Sequence, residues 1–295
     1  MLSLSKHERS SHVLWGGALW AGRVGFGMRC SSRRARARSR APGRRGIMAS
    51  MIRLAALADI HGNVWALEAV LKDAKGQGAD GFVNAGDLLS GPLDPAATAD
   101  LLMSLDLPTV AGNHERQLLA CEHAAGGPSD QYAFEHVSLR HRDWLRQLPS
   151  TLEVDGAILL CHGTPSDDRA YLLEEVERGR VVRAPAAVVE ARAAGAGQRL
   201  IVCGHSHQPG IHWLSDGRLV VNPGSVGLQA YDDDHPSFHV VENGSPHARY
   251  AICERTRSGW SVALRSVEYD HAAAVAAARR NGREDWARWL QTGRA

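Results

Sequence analysis

Apolar positions in the first half of the chain follow two alternating spacings. The run over residues 52–58 is almost continuous and predicts a buried strand, whereas over residues 64–75 the apolar side chains recur at helical spacing. The same order returns as a strand over 81–85 and a helix over 95–105, and a third strand is predicted over 109–111. Repeated strand–helix–strand units favour a parallel sheet with right-handed crossovers.

From residue 133 onward the apolar runs become shorter and turn residues separate them. Asp155-Gly156 and Asp216-Gly217 are hairpin turn signals. The pattern predicts helices over 133–148, 171–178, 186–194, 271–280 and 284–290, and strands over 151–154, 157–161, 200–203, 219–221, 248–254 and 260–269. Because neither a repeat nor a linker interrupts the chain after residue 50, we predict one domain over 51–295, preceded by an extension over 1–50.

Side chains of the kind that bind metal ions follow five of the predicted strands. They are Asp59 and His61, then Asp87, then Asn113 and His114, then His162, and finally His205 and His207. Each group adjoins a glycine, which lets backbone and ligand approach closely. A single strand-end aspartate or histidine is usually a helix cap or a structural residue. Five groups in one domain predict a common metal site, because ligands of open α/β sheets bind at the carboxyl ends of the strands.

The order of these groups resembles that of a known family. The blocks Asp59-x-His61, Gly86-Asp87, Gly112-Asn113-His114-Glu115, His162-Gly163 and Gly204-His205-Ser206-His207 resemble those of the calcineurin-like metallophosphoesterases. The resemblance extends over 52–295, and Asn222-Pro223-Gly224-Ser225 is similar to a loop of the compact bacterial and archaeal phosphodiesterase branch. It implies an α/β fold, namely a four-layer α-β-β-α sandwich of two mixed β-sheets with the metal site at the strand carboxyl ends.

The resemblance also implies a role for each residue. Asp59, His61 and His207 would hold one divalent ion, Asn113, His162 and His205 would hold a second, and Asp87 would bridge both. Such mixed ligands suit Mn²⁺, with Fe, Zn²⁺ or Ni²⁺ as alternatives. Two cations that share a carboxylate can activate a water for in-line attack on phosphorus. His114 and Asp87 are therefore the expected catalytic residues. His114 would stabilise the transition state or protonate the leaving oxygen. A hydrogen bond from His114 to Asp87 is the other interpretation, and it is compatible with the first.

These expectations predict an enzyme that hydrolyses a small phosphodiester or phosphomonoester, with nucleotide-type substrates favoured. One alternative is a non-catalytic scaffold on the same fold, as in the retromer scaffold subunit, which resembles these enzymes but has lost key ligands. Nuclease and protein phosphatase activities are further alternatives. Arg116 is a candidate contact for substrate phosphate, although a solvated helix face would also explain it.

The charge of the chain is concentrated in its first 50 residues. They hold 11 of the 34 basic residues and one of the 32 acidic residues, which leaves 23 basic and 31 acidic residues in the remainder. The extension could be a targeting segment, a nucleic-acid-binding arm or the product of an upstream start codon; we favour the last, with translation beginning at Met48 or Met51. A net charge of −8 on the remainder argues against nucleic acid as a partner.

Cysteine usage and hydropathy bear on the compartment. The five cysteines are widely spaced without a C-x-x-C pair, which indicates a reducing, cytoplasmic environment. The apolar patch over 13–22 is too short to span a membrane. Trp286 and Trp289, three residues apart in the last predicted helix, are interpreted as core packing or as a homodimer contact.

Overall fold

The computed structural model describes residues 53–295. The strands are β1 (Arg53–Leu57), β2 (Gly81–Asn84), β3 (Thr151–Val154), β4 (Ile158–Cys161), β5 (Glu174–Glu177), β6 (Arg180–Arg183), β7 (Leu200–Val202), β8 (Gly210–Trp213), β9 (Leu219–Asn222), β10 (Ala230–Asp233), β11 (His239–Glu242), β12 (Ala248–Thr256) and β13 (Gly259–Val267). The helices are α1 (Val64–Gly76), α2 (Pro95–Leu105), α3 (Asn113–Ala120), α4 (Pro128–His136), α5 (Leu139–Leu145), α6 (Ala186–Arg192), α7 (His271–Arg280) and α8 (Glu284–Thr292). The extension over 1–50 lies outside the described residues, so its boundary with the domain stays a prediction.

Two mixed sheets form the centre of the fold. The first has the order β13-β12-β1-β2, in which β1 is parallel to β2 and antiparallel to β12. The second has the order β3-β4-β7-β9-β8, in which β4, β7 and β9 are parallel and the two outer strands are antiparallel. The parallel strands therefore end on the same edge of each sheet, where the predicted metal ligands follow.

The two sheets pack face to face, and helices cover their outer faces. Alternate residues of β1 and β7 point into the space between the sheets, where Leu54 and Val202 are fully buried in one cluster. On the outer face of β1, Leu57 packs in a cluster with Leu67 of α1. On the outer face of β7, Ile201 packs with Val189 of α6. This arrangement confirms the predicted α-β-β-α sandwich.

A third, four-stranded sheet has the order β10-β11-β6-β5, and here the helix predicted over 171–178 is wrong. Residues Glu174–Glu177 form β5, which pairs antiparallel with β6. Arg178 and Gly179, with φ of 50° and 74°, make the turn between them. Positive φ at both central residues is the geometry of a tight hairpin. Gly179, which follows the charged run 174–178, is the sequence feature that indicates this hairpin.

Two further predicted elements differ in their bounds. The helix predicted over 133–148 is interrupted at Val137, which has an extended backbone, and Ser138 caps α5 by accepting the N–H of His141. The third predicted strand, over 109–111, is reduced to a single parallel bridge between Thr109 and Asn84. Only three residues lie between Thr109 and the start of α3 at Asn113, which is too few for a longer strand.

Helices α7 and α8 are the last two elements and pack against each other. Trp286 and Trp289 are 3% and 5% exposed and pack in a cluster with Leu93, Leu228 and Ala230. This burial favours core packing as the reason for the two tryptophans. Among residues 53–295, no helix combines the length and the apolarity that crossing a bilayer requires.

Candidate metal centre

The turns that follow β1, β2 and β7 hold five of the predicted ligands in the left-handed backbone region. The residues and φ values are Asp59 (55°), His61 (52°), Asp87 (55°), His205 (69°) and His207 (54°). This conformation costs on the order of 1–3 kcal/mol for each residue other than glycine and tends to cluster at functional sites. Here main-chain hydrogen bonds hold it: the Asp59 N–H donates to Gly86 (2.9 Å), and the His61 N–H donates to Asp87 (3.1 Å).

The first cluster consists of Asp59, His61 and His207, whose ligand atoms all lie within 4.8 Å of one another. All three side chains are buried. The Nε2 atoms of His61 and His207 are 3.1 Å apart, and Nε2 of His207 is 3.7 Å from Oδ1 of Asp59. The three groups therefore converge on one point.

Hydrogen bonds determine the tautomers of the two histidines. Nδ1 of His61 lies 2.8 Å from the carbonyl oxygen of Ser90, and Nδ1 of His207 lies 2.7 Å from that of Leu228. Because a carbonyl only accepts, both Nδ1 atoms carry hydrogen and both Nε2 atoms of the neutral rings present lone pairs. Burial lowers the pKa of His61 to about 4 and that of His207 well below its usual value. Two facing lone pairs without a proton between them fit a cation.

The carboxylate of Asp59 completes this first cluster. Its Oδ1 accepts the main-chain N–H of His205 at 3.0 Å, whereas its buried Oδ2 has no hydrogen-bond partner among the described residues. Burial raises the pKa of Asp59 to about 8. Buried polar atoms without partners are rare in folded proteins. A divalent cation at this point would supply the missing partner and favour the ionised carboxylate.

The second cluster consists of Asp87, His162 and His205, with Asn113 beside it. Nε2 of His162 lies 3.0 Å from Oδ2 of Asp87 and 3.1 Å from Oδ1 of Asn113, while its Nδ1 donates to Ala85. Burial would lower the pKa of His162, but the Asp87 carboxylate outweighs it and raises the pKa to about 10. The oxygen atoms of Asp87 and Asn113 around Nε2 of His162 stabilise a positive charge there, which a metal ion can supply in place of a proton.

His205 reaches the second cluster through its other ring nitrogen. Its Nε2 donates to the carbonyl of Arg169 at 3.0 Å, which leaves Nδ1 as the lone-pair atom. Burial, helped by the positive charge of His162, lowers the pKa of His205 to about 3. All four imidazoles thus donate one ring N–H to a main-chain carbonyl, the usual support of metal-binding histidines.

Asp87 lies between the two clusters. Its Oδ2 is 3.0 Å from Nε2 of His162 and 3.9 Å from Nε2 of His61, and its Oδ1 accepts the main-chain N–H of His114. Burial alone would raise the pKa of Asp87, but His162 and His114 hold it well below its usual value. The structure therefore brings all seven predicted ligands to one place, while the ion that each would hold stays a prediction.

His114 presents its ring to the cavity beside the clusters. Nδ1 lies 2.8 Å from Oδ1 of Asp130, and the ring centroid is 5.4 Å from that of His61. Burial would lower the pKa of His114, but the Asp87 and Asp130 carboxylates raise it to about 9. His114 hydrogen-bonds Asp87 through its main-chain N–H and not through its ring.

Several residues of the site were missed from the sequence. Asp130 orients His114, and Glu115 supports the loop that carries Asp87. Glu115 stands third in α3, where a carboxylate commonly bonds back to the N-terminal N–H groups, and this was a usable signal. Arg116, considered as a phosphate contact, is outside the cavity and pairs with Asp168 at 2.7 Å.

A cavity of about 260 Å³ opens beside the two clusters. Metal-type ligands form its floor, and its outer walls come from Arg169, from Asp232 and Asp233 of β10, and from Arg283 and Trp286 at the start of α8. Trp286 also meets the His61 ring edge-on, with centroids 6.1 Å apart. A small ligand in this cavity would touch the floor and the walls together.

Comparison with known proteins shows the family of the chain. Residues 52–245 match the calcineurin-like phosphoesterase superfamily domain, and the chain belongs to this family. The uncharacterized protein MJ0912 of Methanocaldococcus jannaschii is 25% identical over 246 residues, which cover 79% of this chain and 94% of that protein. The metallophosphoesterase of Sphaerobacter thermophilus shares the fold with a TM-score of 0.64 at 24% identity, over 82% of this chain and 99% of that one.

Proposed function

We propose that this protein is a dinuclear metal-dependent hydrolase of a small phosphodiester or phosphomonoester, with nucleotide-type substrates favoured. The observation that carries the proposal is the pair of facing Nε2 lone pairs of His61 and His207, 3.1 Å apart, beside the unpartnered Oδ2 of Asp59. Asp87, which reaches both clusters, supports two ions rather than one. Membership of the phosphoesterase family supports the reaction class.

Each part of the site would contribute differently. Asp59, His61, His207 and Asp87 would hold one cation, and Asp87, Asn113, His162 and His205 would hold the other. Mn²⁺ is our first choice, with Fe, Zn²⁺ or Ni²⁺ as alternatives. Such a pair supplies a water nucleophile near neutral pH and charge neutralisation for the phosphoryl oxygens. His114, oriented by Asp130, would donate a hydrogen bond or a proton to the leaving oxygen.

The surroundings of the site support a small substrate. The cavity of about 260 Å³ has Asp232 and Asp233 on its wall, and carboxylates there would repel a polyanion. This disfavours nuclease activity. We further propose a cytoplasmic location, supported by the absence of a disulfide among Cys121, Cys161, Cys203 and Cys253, the cysteines of the described residues. A homodimer remains a proposal without an assigned surface.

The test is hydrolysis of bis(4-nitrophenyl) phosphate and 4-nitrophenyl phosphate by the full chain, with Mn²⁺ titrated and bound metal measured. We expect metal-dependent turnover of at least one ester and its loss in Asp87→Asn, with less bound metal. Glu68→Gln, which removes one carboxylate from the exposed surface of α1, is the control and should behave as the wild type. Two bound ions with no turnover of either ester would contradict the proposal and favour the scaffold alternative.

A further inference from the structure

Two arginines line the cavity, and their surroundings differ. Arg283 is fully engaged: Nε and Nη2 donate to the Asp285 carboxylate at 3.0 and 2.7 Å, and Nη1 donates to Oγ of Ser129 at 3.0 Å. The Arg169 guanidinium forms neither an ion pair nor a hydrogen bond with any residue in the described range 53–295. Arg283 is therefore a neutralised part of the wall, whereas Arg169 keeps its full charge.

The carboxylates nearest to Arg169 in the chain are already occupied. Asp168 accepts three hydrogen bonds from Arg116, at 2.7, 2.9 and 3.0 Å. Oδ1 of Asp167 accepts the main-chain N–H of Arg169 itself, at 2.8 Å. Neither carboxylate forms an ion pair with the Arg169 guanidinium, which leaves the cation available.

The loop that carries Arg169 is held in place at both ends. Thr164 pairs with Asp167 across it, with the Thr164 N–H donating at 2.9 Å. A Cβ at Gly163 would lie 2.5 Å from the carbonyl oxygen of Asp167, so the chain passes where only glycine fits. The carbonyl of Arg169 accepts Nε2 of His205 at 3.0 Å. The position of Arg169 is therefore coupled directly to the second metal-type cluster.

An unpaired cation beside a centre built for two divalent cations is electrostatically unfavourable unless an anion lies between them. We propose that Arg169 is the anion receptor of this cavity and binds a non-bridging oxygen of the substrate phosphoryl group. The planar guanidinium suits phosphate oxygens because it presents paired N–H donors. This inference rests on the proposed function for the identity of the substrate, and it assigns to Arg169 a direct contact with the reacting group.

The test uses inorganic phosphate as the probe and the full chain loaded with Mn²⁺. Phosphate binding is measured by calorimetry for the wild type, Arg169→Gln, Arg169→Lys and the control Arg257→Gln. Arg257 is exposed at the β12–β13 turn, and its replacement changes the net charge equally. Loss of one charge-assisted hydrogen-bonding group should weaken phosphate binding by about tenfold or more in Arg169→Gln. Arg169→Lys should retain part of the affinity, and Arg257→Gln all of it.

Mn²⁺ affinity, measured on the same variants, separates a phosphate contact from support of His205. Unchanged Mn²⁺ affinity with weakened phosphate binding supports the inference. Unchanged phosphate binding in Arg169→Gln would overturn it, and so would an equal loss of Mn²⁺ affinity, because Arg169 would then act through His205.

Because phosphate binding needs no turnover, this test is independent of the proposed reaction. If the wild type hydrolyses esters but Arg169→Gln binds phosphate normally, the inference fails and the proposed function stands. If phosphate binding depends on Arg169 while neither ester is hydrolysed, the anion receptor stands and the phosphoesterase proposal fails.

Discussion

Oε2 of Glu115 lies 2.9 Å from the main-chain nitrogen of Asp87 and accepts its N–H. The same carboxylate accepts the N–H of Leu88 at 2.8 Å and that of Gly112 at 2.7 Å. It therefore joins the turn after β2 to the first residues before α3. The carboxylate of Asp87, which reaches both metal-type clusters, depends for its position on a buried side chain outside the predicted ligand set.

Replacing Glu115 with glutamine should weaken both the fold and the metal centre. An amide offers one oxygen and one NH₂ group where Glu115 has two accepting oxygens, so at least one buried N–H loses its partner. The free energy of unfolding should fall by about 1–3 kcal/mol, and Mn²⁺ affinity should fall roughly 10- to 100-fold. Urea unfolding and Mn²⁺ titration measure the two effects.

Glu135→Gln is the matched control, because Glu135 is exposed and bonds only Gln131. This variant should change neither the free energy of unfolding nor the Mn²⁺ affinity. If Glu115→Gln unfolds at the same urea concentration as the wild type, the three hydrogen bonds contribute nothing to stability and this reading of Glu115 is wrong.

His114→Ala should remove activity without removing metal. The ring lines the cavity but belongs to neither cluster, so we expect kcat to fall roughly 10²- to 10⁴-fold, the range for loss of a general acid. Asp130→Asn, which keeps the ring but removes its carboxylate partner, should cause a smaller fall. Steady-state kinetics measures the change in kcat, and Mn²⁺ titration measures whether metal affinity is kept. His123→Ala, at an exposed position, is the control; a loss of Mn²⁺ affinity in His114→Ala would show that His114 is itself a ligand.

The buried strands and the place of the site could be predicted from local patterns, whereas the four-layer sandwich was implied by the family resemblance. An apolar run that ends in a carboxylate, as at Asp59 and at Gly86-Asp87, identifies a buried strand and its carboxyl end. These features need no knowledge of distant contacts, and the structure has them as predicted.

The features that were missed depend on side-chain pairings that the apolar pattern does not show. The hairpin of β5 and β6 contains buried Glu174, which forms an ion pair with Arg183, so its register does not follow from an apolar alternation. Arg116 was a candidate contact for substrate phosphate, yet its guanidinium pairs with Asp168. Arg169 lines the cavity only because its loop folds back toward His205. Such pairings are decided by the tertiary structure rather than by spacing.

Glu174 should make the stability of the fold depend on pH. Burial raises its pKa from 4.5 to about 7 even though Ser206 and Arg183 donate hydrogen bonds to it. Below pH 4.5 the Glu174 carboxyl is protonated in both the folded and the unfolded state, so it does not lower the free energy of unfolding. Between pH 4.5 and about 7 the unfolded chain ionises first and binds fewer protons, so the free energy of unfolding falls as the pH rises. Above pH 7 Glu174 is ionised in both states, and the free energy of unfolding stays at its lowered value.

Glu174→Gln tests this dependence, because glutamine keeps the shape without the titration. The wild type should lose up to about 3 kcal/mol relative to the variant between pH 4.5 and 8. Urea unfolding of chelator-treated protein over this range measures the difference without a contribution from bound metal. Glu177→Gln, at an exposed position of the same strand, should keep the wild-type slope. Parallel pH profiles for the wild type and Glu174→Gln would contradict the prediction.

Gly112→Ala should displace the Asp87 carboxylate by contact alone. The backbone at Gly112, with φ of −94° and ψ of −173°, is open to alanine, so a substitution there brings no conformational strain. The added Cβ would, however, meet Oδ1 of Asp87 and lie 2.8 Å from its nitrogen and 2.9 Å from its Cγ. Because the carboxylate must move, we expect Mn²⁺ affinity to fall at least about tenfold and the free energy of unfolding to fall by about 1–3 kcal/mol.

Gly197→Ala is the control for this substitution, since a Cβ there would meet nothing within 4 Å. It should keep the wild-type Mn²⁺ affinity and change the free energy of unfolding by less than about 0.5 kcal/mol. Mn²⁺ titration and urea unfolding of both variants give the comparison. A Gly112→Ala protein that binds two ions as tightly as Gly197→Ala would mean that the centre tolerates movement of Asp87, and the bridging position proposed for this carboxylate would have to be abandoned.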